Sequence, residues 1–496
     1  MNDVVTEDEQ GRTRMQHGTG TTVGAMDLED APGRSRQTTR GRASARYILP
    51  VLIFSALNMS IVSTLGTPMI PTISHELGVS LETAQWLLTV TLLVGAVVTP
   101  VAGRLADGQY RKMVIVGSLG LVCIGAVIAA LVRNFPVFLF GRALQGVGLA
   151  IVPMAIAVAR DALPRQRARN GIAVLSVTTA IGTGLGYPLT GLLGQAFGYQ
   201  VPFAFAAVVS LIAVIMTWRT IPDHAPSGPA RLDMAGAVLL SLGLVCLLLM
   251  ISQGRAWGWT SLPIAGFALG AVAFTAWWIV TELRVAHPLI ELRLALNPLV
   301  MSANVAAFLM GMGLFAVSSL VSRFVQAPES AGYGFDAGLL LAGLMLMPLS
   351  FGSLASTFFS RWLNDHIGPY LVLPVGCGIV ALVGVFLAFA RTEVWQILFG
   401  VVVLGLGIST AFAAMPALII RAVPPHETGS ATGLNAVLRS VGGAIGSAAS
   451  IAVLSSFTLA GESLPDNRGY TIAFLTGALC CLAGVIASLT LTPRDR

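Results

Sequence analysis

The stretch GRLADGQYRKMVIVGSLGLVCIGAVIAAL (Gly103–Leu131) sets a short charged loop directly before 19 residues that carry no charge. A helix needs about 20 predominantly apolar residues to cross the hydrocarbon core of a bilayer. The apolar part, Met113–Leu131, therefore predicts a transmembrane helix. The charged loop before it predicts a turn at the membrane surface.

Apolar segments of this kind recur along the chain, separated by short polar stretches. Hydrophobic residues make up 55% of the 496 residues and charged residues only 10%, whereas a soluble globular protein carries roughly 25% charged residues. The composition excludes a set of soluble domains and predicts an all-α polytopic membrane protein. The fourteen predicted spans are Ile48–Ile70, Trp86–Ala106, Met113–Leu131, Pro136–Ala159, Gly171–Gly194, Val201–Trp218, Met234–Ile251, Leu262–Val280, Leu299–Val321, Ala337–Ser360, Tyr370–Ala390, Val394–Ile420, Thr432–Leu454 and Tyr470–Leu491.

The basic residues indicate which ends of the spans face the cytoplasm, because inner loops carry more Lys and Arg than outer loops. With the N-terminal segment placed inside, the inner segments hold 22 basic residues and the outer loops five. The sequence therefore predicts that both termini lie in the cytoplasm. Residues Met1–Arg46 are polar and show no periodicity, which predicts a disordered cytoplasmic tail instead of a cleaved signal.

The distribution of charged and metal-binding residues excludes several classes of function. The 29 basic residues are scattered between the apolar segments, which argues against a nucleic-acid-binding face. The cysteines all lie inside apolar segments and no metal-ligand spacing occurs, so we expect neither a metal nor a cofactor. No His or carboxylate lies at membrane depth, and Lys112 is the only lysine, so no P-loop for ATP exists. We therefore expect no enzymatic activity and no direct use of ATP.

Short matches recur in order along the chain at offsets of 258 to 260 residues. The matched positions are Asp107 with Asp365, Phe140–Gly148 with Phe399–Gly407, and Pro164, Gly182 and Gly186 with Pro424, Gly442 and Gly446. An offset of eight spans in a chain of fourteen predicts six helices, two inserted helices and six more, with a central site between the halves. The predicted parts are a tail at 1–46, an N-terminal six-helix bundle at 47–220, two inserted helices with linkers at 221–297, and a C-terminal six-helix bundle at 298–496.

The loop between the second and third spans combines one acid with two bases at the inner surface. Such groups can pair across a gap that opens when one half of the protein moves against the other. The alternative interpretation is that this is a loop without a gating role, whose bases only reflect the excess of Lys and Arg in inner loops. The predicted inner gate comprises Gly103, Asp107, Arg111 and Lys112.

This loop resembles the signature loop of the major facilitator superfamily. The matching positions are Gly103, Leu105, Asp107, Arg111 and Lys112, whereas Gly108 and Tyr110 depart from the family pattern. In that family the acid steadies the closed inner gate by facing a helix end of the opposite half, and an acid is favoured near a helix N-terminus. The resemblance implies the same role for Asp107.

The fourth span carries GRALQGVGLAIVP (Gly141–Pro153), which resembles the fourth-helix motif of the family. Arg142 lies about seven residues from the outer end, where an unpaired charge is costly, so we expect it to face a wet or paired interior. The resemblance implies a role in proton or substrate coupling for Arg142. The other matching positions are Gln145, Gly146, Gly148 and Pro153.

The fifth span carries GTGLGYPLTGLLG (Gly182–Gly194), which resembles the antiporter motif that marks exporters of the family. Pro188 stands one place later than usual, and Tyr187 occupies the customary position of the proline. Close packing of helices explains the glycines equally well. The residues predicted to serve helix packing or the antiporter motif come from the fourth and fifth spans. They are Gly146 and Pro153 in the fourth, and Gly182, Gly186, Tyr187, Pro188 and Gly191 in the fifth.

The first span departs from the family pattern at two positions. Relatives typically carry an acid in a pattern like L-D-x-T, but here Asn58 replaces the acid and Ser60 the threonine. No acid lies deep inside a span, and the deep ionisable residues are Arg142 and Arg439. We therefore expect the cavity to favour neutral, zwitterionic or anionic substrates. The predicted cavity residues are Asn58, Ser60, Arg142, Gln145, Asn435 and Arg439, with Asp336 as a candidate acid on the outer side.

Together these motifs resemble the fourteen-helix drug:proton antiporter branch of the superfamily. The resemblance implies a monomeric exporter in the bacterial plasma membrane that moves drugs, antibiotics or related small molecules by alternating access and proton antiport. Its expected partners are the substrate, protons and the lipid bilayer. The open alternatives are a transporter of a neutral or anionic metabolite with different coupling and, from another class, a membrane sensor without transport activity.

Overall fold

The structure is a computed structural model that describes residues 34–66, 68–79, 81–106, 110–221, 233–285, 288, 290–424, 427–457 and 465–491. The chain divides into two compact units, Met1–Ala43 and Ser44–Arg496. Apart from the first residues of the first helix, the elements below belong to the second unit. Asp107 and most of the predicted tail lie outside the described residues.

The regular elements of the described residues are helices, with no strand among them. The α-helices are α1 Arg34–Thr64, α2 Ile70–Glu76, α3 Leu81–Ala106, α4 Arg111–Leu131, α5 Phe135–Gly146, α6 Ile151–Ala162, α7 Arg165–Phe197, α8 Gln200–Thr220, α9 Met234–Trp257, α10 Leu262–Glu282, α11 Leu292–Ala295, α12 Pro298–Gln326, α13 Leu339–Leu346, α14 Pro348–His366, α15 Val372–Phe389, α16 Val394–Ala422, α17 Thr428–Ser456 and α18 Asn467–Leu491. Within these ranges, 14 segments are long and apolar enough to cross a membrane. The predicted all-α polytopic fold is confirmed.

The first predicted span is too long at its outer end. The apolar part of α1 ends at Thr64, and Ile70 begins the short helix α2. Gly66 lies between them with a φ of +88°, a conformation that glycine adopts without steric cost. Apolarity alone does not reveal such a turn, because Leu65 and Met69 beside it are buried.

Two predicted spans contain breaks in their helices. The fourth consists of α5 and α6, joined by a 3-10 turn at Val147–Ala150. The tenth consists of α13 and α14, divided at Met347, because Pro348 lacks the N–H that would continue the helical hydrogen bonds. Pro153 lies near the start of α6, where proline is tolerated.

Buried apolar side chains form three clusters. One is built from α1 to α8 and ends at Ile221. The second is built from α12 to α18, with Tyr187 of α7 added. The third joins the inserted helices to two others, because residues of α9 and Trp278 of α10 pack with Ala96 of α3 and Val437 of α17. The division into six, two and six spans stays a prediction.

Large apolar side chains also cover the outside of the described helices. Leu262 is 86% exposed and Phe358 is 74% exposed. Soluble monomers rarely expose extended apolar surface. Together with the fourteen apolar spans, this surface is that of a multi-pass membrane protein.

Candidate functional site

Arg142 is completely buried and is held by groups from three helices. Its Nε donates to the Leu87 carbonyl oxygen of α3 at 3.3 Å, and its Nη1 donates to the Val62 carbonyl oxygen of α1 at 3.2 Å. Nη1 also donates to Gln145 Oε1 at 2.6 Å. The guanidinium lies 5.7 Å from the ring centroid of Phe203. Carbonyl dipoles and an aromatic face therefore surround this charge.

The hydrogen bonding of this pair of side chains is incomplete. Within the described part of the chain, Arg142 Nη2 and Gln145 Nε2 are buried atoms without a hydrogen-bond partner. Each buried donor left without an acceptor costs about 1–3 kcal/mol. Two such donors on neighbouring turns of α5 form a site that suits an acceptor oxygen, either of a water molecule or of a substrate.

Close contact between α5 and α3 fixes the position of Arg142. Thr91 of α3 donates to the Arg142 carbonyl oxygen at 3.1 Å. A Cβ at Gly146 would meet the Thr91 carbonyl oxygen at 2.5 Å, so only glycine allows this approach. At the start of α5, Asn134 accepts a hydrogen bond from the Val137 N–H. The glycine of the fourth-span motif thus serves the placement of the arginine.

Asn58 and Ser60 are both buried in α1 and make hydrogen bonds within the first eight helices. Asn58 Nδ2 donates to Ser210 Oγ of α8 at 3.0 Å, and Ser60 Oγ donates to the Ala56 carbonyl oxygen at 2.9 Å. The first of these bonds places Asn58 against α8, whereas the second lies within α1. The predicted cavity role of both residues stays a prediction.

Asn435 and Arg439 lie one turn apart on α17 but have different surroundings. Asn435 is buried and donates to the Ala303 carbonyl oxygen at 3.0 Å and to Asn304 Oδ1 at 3.2 Å. Arg439 is half-buried, and its guanidinium lies 4.6 Å from the ring centroid of Phe412. No described residue provides a hydrogen-bond acceptor for that guanidinium. Arg439 is therefore a second cation near the middle of a span. Its guanidinium could donate hydrogen bonds to an acceptor group of a bound molecule.

The fifth-span motif places α7 against helices on two sides. A Cβ at Gly182 would overlap Ser60 of α1, and one at Gly186 would overlap Thr64 Oγ1. On the other side, Ser350 of α14 donates to the Ile181 carbonyl oxygen at 3.0 Å. A Cβ at Gly343 of α13 would meet the Tyr187 carbonyl oxygen at 2.9 Å. The motif therefore works at least as a packing surface, as the alternative interpretation of its glycines expects.

Two further motif residues belong to this part of α7. Pro188 lies inside the helix without breaking it, and Gly191 is buried one turn from Tyr187. A proline in a helix frees a backbone carbonyl four residues earlier, which here is that of Gly184. The role of this pair in export stays a prediction.

The predicted inner gate is described in part. Arg111 is buried, and its Nη2 donates to Asp161 Oδ2 of α6 at 2.7 Å while its Nε donates to the Ala106 carbonyl oxygen at 2.6 Å. Lys112 Nζ lies 5.1 Å from the ring centroid of Trp218 in α8. Both bases therefore contact helices of the predicted N-terminal bundle. Asp107, the acid of the loop, lies outside the described residues.

A contact that sequence analysis missed lies beside this gate. Arg104, at the end of α3, donates through Nη1 to both carboxylate oxygens of Glu427, at 2.8 and 2.9 Å. Next to it, a Cβ at Gly103 would meet the Gly429 carbonyl oxygen at 3.0 Å. The two partners are 323 residues apart, so no local sequence pattern relates them.

Asp336, the predicted outer acid, is exposed in the segment before α13. Its backbone has a φ of +46°, a region that residues other than glycine seldom adopt. Its N–H donates to the Ala327 carbonyl oxygen at 2.9 Å. The structure therefore places this acid at the end of a span and not at membrane depth.

Two small cavities lie against α17, with volumes of about 10 Å³ and 20 Å³. The first is lined by Glu291 and Glu427 among others, and the second by Ser450 and Cys480. A water molecule needs about 10–15 Å³ of such space, whereas drug-sized ligands need about 300 Å³ or more. Neither cavity holds a drug-sized molecule in this conformation.

Known proteins are similar to this chain in sequence and in fold. The family model of the Major Facilitator Superfamily matches residues 51–447. An MFS-type transporter of Mycobacterium tuberculosis (strain H37Rv) is 29% identical over 423 residues, and the match covers 83% of this chain. It covers 59% of that relative's own length, so the chain spans less than two thirds of this relative.

Other relatives match over more of their length. The multidrug transporter protein MdtP of Bacillus subtilis is 27% identical, with 83% of this chain and 76% of the relative covered. The methylenomycin A resistance protein of Streptomyces coelicolor is 24% identical, with 95% and 97% covered. These names are consistent with the drug-efflux branch of the family.

A solved structure supports the same fold. The human organic anion transporter MFSD10 superposes with a TM-score of 0.63 at 15% sequence identity, covering 90% of this chain and 99% of the other. A match at this identity shows the fold alone. The family model covers most of the fourteen spans and includes the loop at Gly103 and the motifs at Arg142 and Gly182. The chain therefore belongs to the Major Facilitator Superfamily, a family of transporters and not of enzymes.

Proposed function

We propose that the protein exports drug-like or antibiotic-like small molecules across the bacterial plasma membrane by alternating access, in exchange for protons. Relatives named as a multidrug transporter and as an antibiotic resistance protein support the substrate class. The basic residues, which favour the inner side for both termini, support the orientation.

The observation that carries the proposal is the incomplete hydrogen bonding of Arg142 and Gln145. A fully buried arginine that served only to join helices would have its donors satisfied. Here one nitrogen of each side chain lacks an acceptor among the described residues. A substrate oxygen or a proton-carrying water that binds there gains a charge-assisted hydrogen bond. Arg142 thus anchors the transported molecule itself, or a water molecule that carries the proton exchanged for it.

The positive charge of the two deep arginines favours particular substrates. Arg142 and Arg439 lie at membrane depth, and the acids of the described spans lie near helix ends, as Asp161 and Asp365 do. A permanent dication in such a cavity would lack a carboxylate partner, and an unpaired charge in a low-dielectric medium is costly. The proposed substrates are therefore neutral, zwitterionic or anionic.

Alternating access requires two bundles that meet along changeable contacts. In the proposed division there are two such contacts. In one, α3 packs on α17, and in the other, α7 packs on α13 and α14. Glycines allow the helices to approach closely in both. The glycines are Gly103 and Gly433 on one side and Gly184 and Gly343 on the other. The proposal identifies these as the surfaces that separate in turn on the two sides of the membrane.

Flux of the purified full-length chain in proteoliposomes tests this function. We expect uptake of a neutral or acidic antibiotic, driven by an imposed pH gradient, and little transport of a dicationic biguanide. Arg142→Gln should lower the flux at least tenfold, because it removes the charge that holds the acceptor. Arg133→Gln, which changes an exposed arginine one residue before α5's N-cap, is the matched control and should transport normally.

Each part of the proposal can fail separately in this assay. Flux that does not respond to the pH gradient would contradict proton antiport, whereas export itself would stand. Full activity of Arg142→Gln would contradict the anchoring role. Robust dication transport by the wild-type protein would contradict the proposed substrate charge.

A further inference from the structure

Arg439 is a charged side chain near the middle of a membrane span. It lies on α17, in the span that begins at Thr428 and ends at Leu454. At a rise of about 1.5 Å per residue, both ends of this span are more than about 15 Å away along the helix. An arginine side chain does not extend that far, so the guanidinium stays at membrane depth.

The contacts of Arg439 place it inside the protein and not against lipid. Its guanidinium lies 4.6 Å from the ring centroid of Phe412 in α16. Phe412 is 3% exposed, and the α16 span has the largest buried share, 67%, among the described spans. A guanidinium that lies over a buried ring of such an enclosed helix faces other helices.

The two helices that carry this pair also border the predicted N-terminal bundle. α16 packs on α7, and α17 packs on α3 and α6. A Cβ at Gly433 of α17 would lie 3.5 Å from the Thr99 carbonyl oxygen of α3. Arg439 therefore lies near the boundary between the predicted bundles, where an alternating-access transporter has its central site.

Arg439 differs from the other deeply placed arginines in the partners of its charge. Arg391 and Arg142 each donate to several acceptors on neighbouring helices. Arg439 is only half-buried, and no described residue gives it a hydrogen-bond acceptor or an acidic partner. The aromatic contact uses the face of the guanidinium, whereas its hydrogen-bond donors lie in its plane. The donors of Arg439 are therefore open to a ligand.

A planar guanidinium with open donors suits a carboxylate ligand. Its N–H groups can make two parallel hydrogen bonds to the oxygens of a carboxylate or a phosphate. A single cation offsets one negative charge, so a dianionic phosphate would keep an unpaired charge, which is costly in a low-dielectric site. The chemistry therefore favours a monoanionic carboxylate.

We infer that Arg439 is the carboxylate-binding residue of the proposed transport cavity and that Phe412 holds its guanidinium in position. The inference deepens the proposed function, on which its role in transport rests. It assigns the anionic group of a substrate to the predicted C-terminal bundle and leaves Arg142 to bind a neutral oxygen or a water molecule. The protein selects a carboxylate over an uncharged molecule of the same shape, because only the anion pairs with Arg439.

Equilibrium dialysis of the purified full-length protein in detergent tests this site, with protein-free micelles as the blank. The probes are naphthoate and naphthamide, which have nearly the same shape and differ in charge near neutral pH. We expect the wild-type protein to bind naphthoate about tenfold more tightly than naphthamide. Arg439→Gln should raise the Kd of naphthoate about tenfold, as expected for the loss of hydrogen bonds between charged groups. It should leave the Kd of naphthamide and the midpoint of thermal unfolding unchanged.

Three further variants separate the charge, the planar donors and the aromatic contact. Arg439→Lys keeps the charge without the planar donors and should weaken naphthoate binding about threefold. Phe412→Leu removes the ring and should weaken binding of naphthoate, but not of naphthamide, by a similar factor. The matched control is Arg421→Gln, which changes an exposed arginine 5.9 Å from the ring centroid of Tyr370 at the end of α16. It should bind both probes like the wild-type protein.

Several outcomes would overturn the inference. They are failure of the wild-type protein to bind naphthoate, equal wild-type affinities for the two probes, wild-type naphthoate binding in both Arg439 variants, and an equal loss in Arg421→Gln. Loss of the preference in Arg142→Gln, with Arg439→Gln unchanged, would also contradict it, because the carboxylate would then bind to Arg142.

Dialysis and flux keep this inference apart from the proposed export. Binding is measured without a membrane or a pH gradient, so it does not depend on transport. A preference for naphthoate that depends on Arg439, in a chain that transports no tested drug, would support the carboxylate site and contradict only export. Proton-driven flux of a neutral drug, with no preference for naphthoate, would support export and contradict the carboxylate site.

Discussion

Buried polar side chains of this protein differ in whether their hydrogen bonds are complete. Arg391 donates to Asn467 and Thr471 of α18 and to carbonyl oxygens of α15, including that of Ala388. Burial lowers the pKa of its guanidinium, as expected for a charge taken out of water. Arg142 is more deeply buried but lacks an acceptor for one nitrogen among the described residues. Complete bonding is typical of a structural arginine, whereas the open donor of Arg142 is the one that the proposed function assigns to a ligand.

Arg391→Met should lower the stability of the protein but not its transport. The change leaves several acceptors in α15 and α18 without a donor, at a cost on the order of 2 kcal/mol. We expect the midpoint of thermal unfolding in detergent to fall by several degrees. Arg468→Gln, an exposed arginine close by, is the control and should leave the midpoint unchanged. Equal midpoints for all three proteins would show that the Arg391 contacts contribute little.

Asn58→Asp distinguishes a packing role of Asn58 from its predicted cavity role. Because Asn58 bonds to Ser210 in α8, an acid there would be buried without a basic partner among its described contacts. We expect a lower unfolding midpoint and no gain in export of cationic dyes, measured in a resistance and flux panel. Asn304→Asp in α12 is the matched buried control. A gain of cation export in Asn58→Asp alone would instead support the cavity role.

At the scale of helices, corresponding glycines of the internal repeat make corresponding contacts. Gly182 and Gly186 of α7 pack on α1. Gly442 and Gly446, which match them at an offset of 260, lie on α17 and pack on the backbone of α12. In a repeat of six spans, both contacts join the fifth span of a bundle to its first. The recurring glycines therefore have a packing explanation in both halves.

Gly442→Ala should destabilise the protein, because the added Cβ would overlap the Phe308 carbonyl oxygen and backbone cannot move aside easily. We expect a loss of about 1–3 kcal/mol, seen as a lower unfolding midpoint. The control is Gly266→Ala in α10, where no atom lies within 4 Å of the new Cβ. That change should be neutral or should stabilise by about 0.5–1 kcal/mol. A neutral Gly442→Ala would refute the close-packing explanation.

At the scale of the whole molecule, the two predicted six-helix bundles contact each other in two separate places. α3 meets α17 near Gly103, and α7 meets α13 and α14 near Gly184. The cavities along α17 enclose no more than about 20 Å³. Neither of these two cavities is large enough for a drug-sized molecule, and the proposed alternating access would separate helices to admit one.

The proposed topology predicts the side on which inserted tags appear. Tags at Gly228 and Arg496 should be cytoplasmic, and a tag at Ala331 should be external, because 22 basic residues lie on the inner side and five on the outer side. Reporter fusions or protease protection in whole cells measure the location. A cytoplasmic Ala331 would contradict the order of the spans and, with it, the six-two-six division.

The sequence by itself determined that the chain is an all-α membrane protein with fourteen spans, because burial in lipid depends on local composition over about 20 residues. It also indicated Arg142 as a deep charge, since a cation within an apolar segment is visible without a structure. It did not reveal the turn at Gly66 or the break at Pro348. Both lie inside apolar segments of the sequence, so hydropathy alone shows no interruption there.

Only the tertiary structure decided which polar groups meet. The bond of Asn58 to Ser210, the pairing of Arg111 with Asp161 and the contact of Arg104 with Glu427 join residues far apart in the chain. Hydrogen bonds and ion pairs act over about 3 Å, so they depend on how helices pack. Hydrophobic length is a local property of the chain, whereas the partner of a charged side chain is a property of the folded protein.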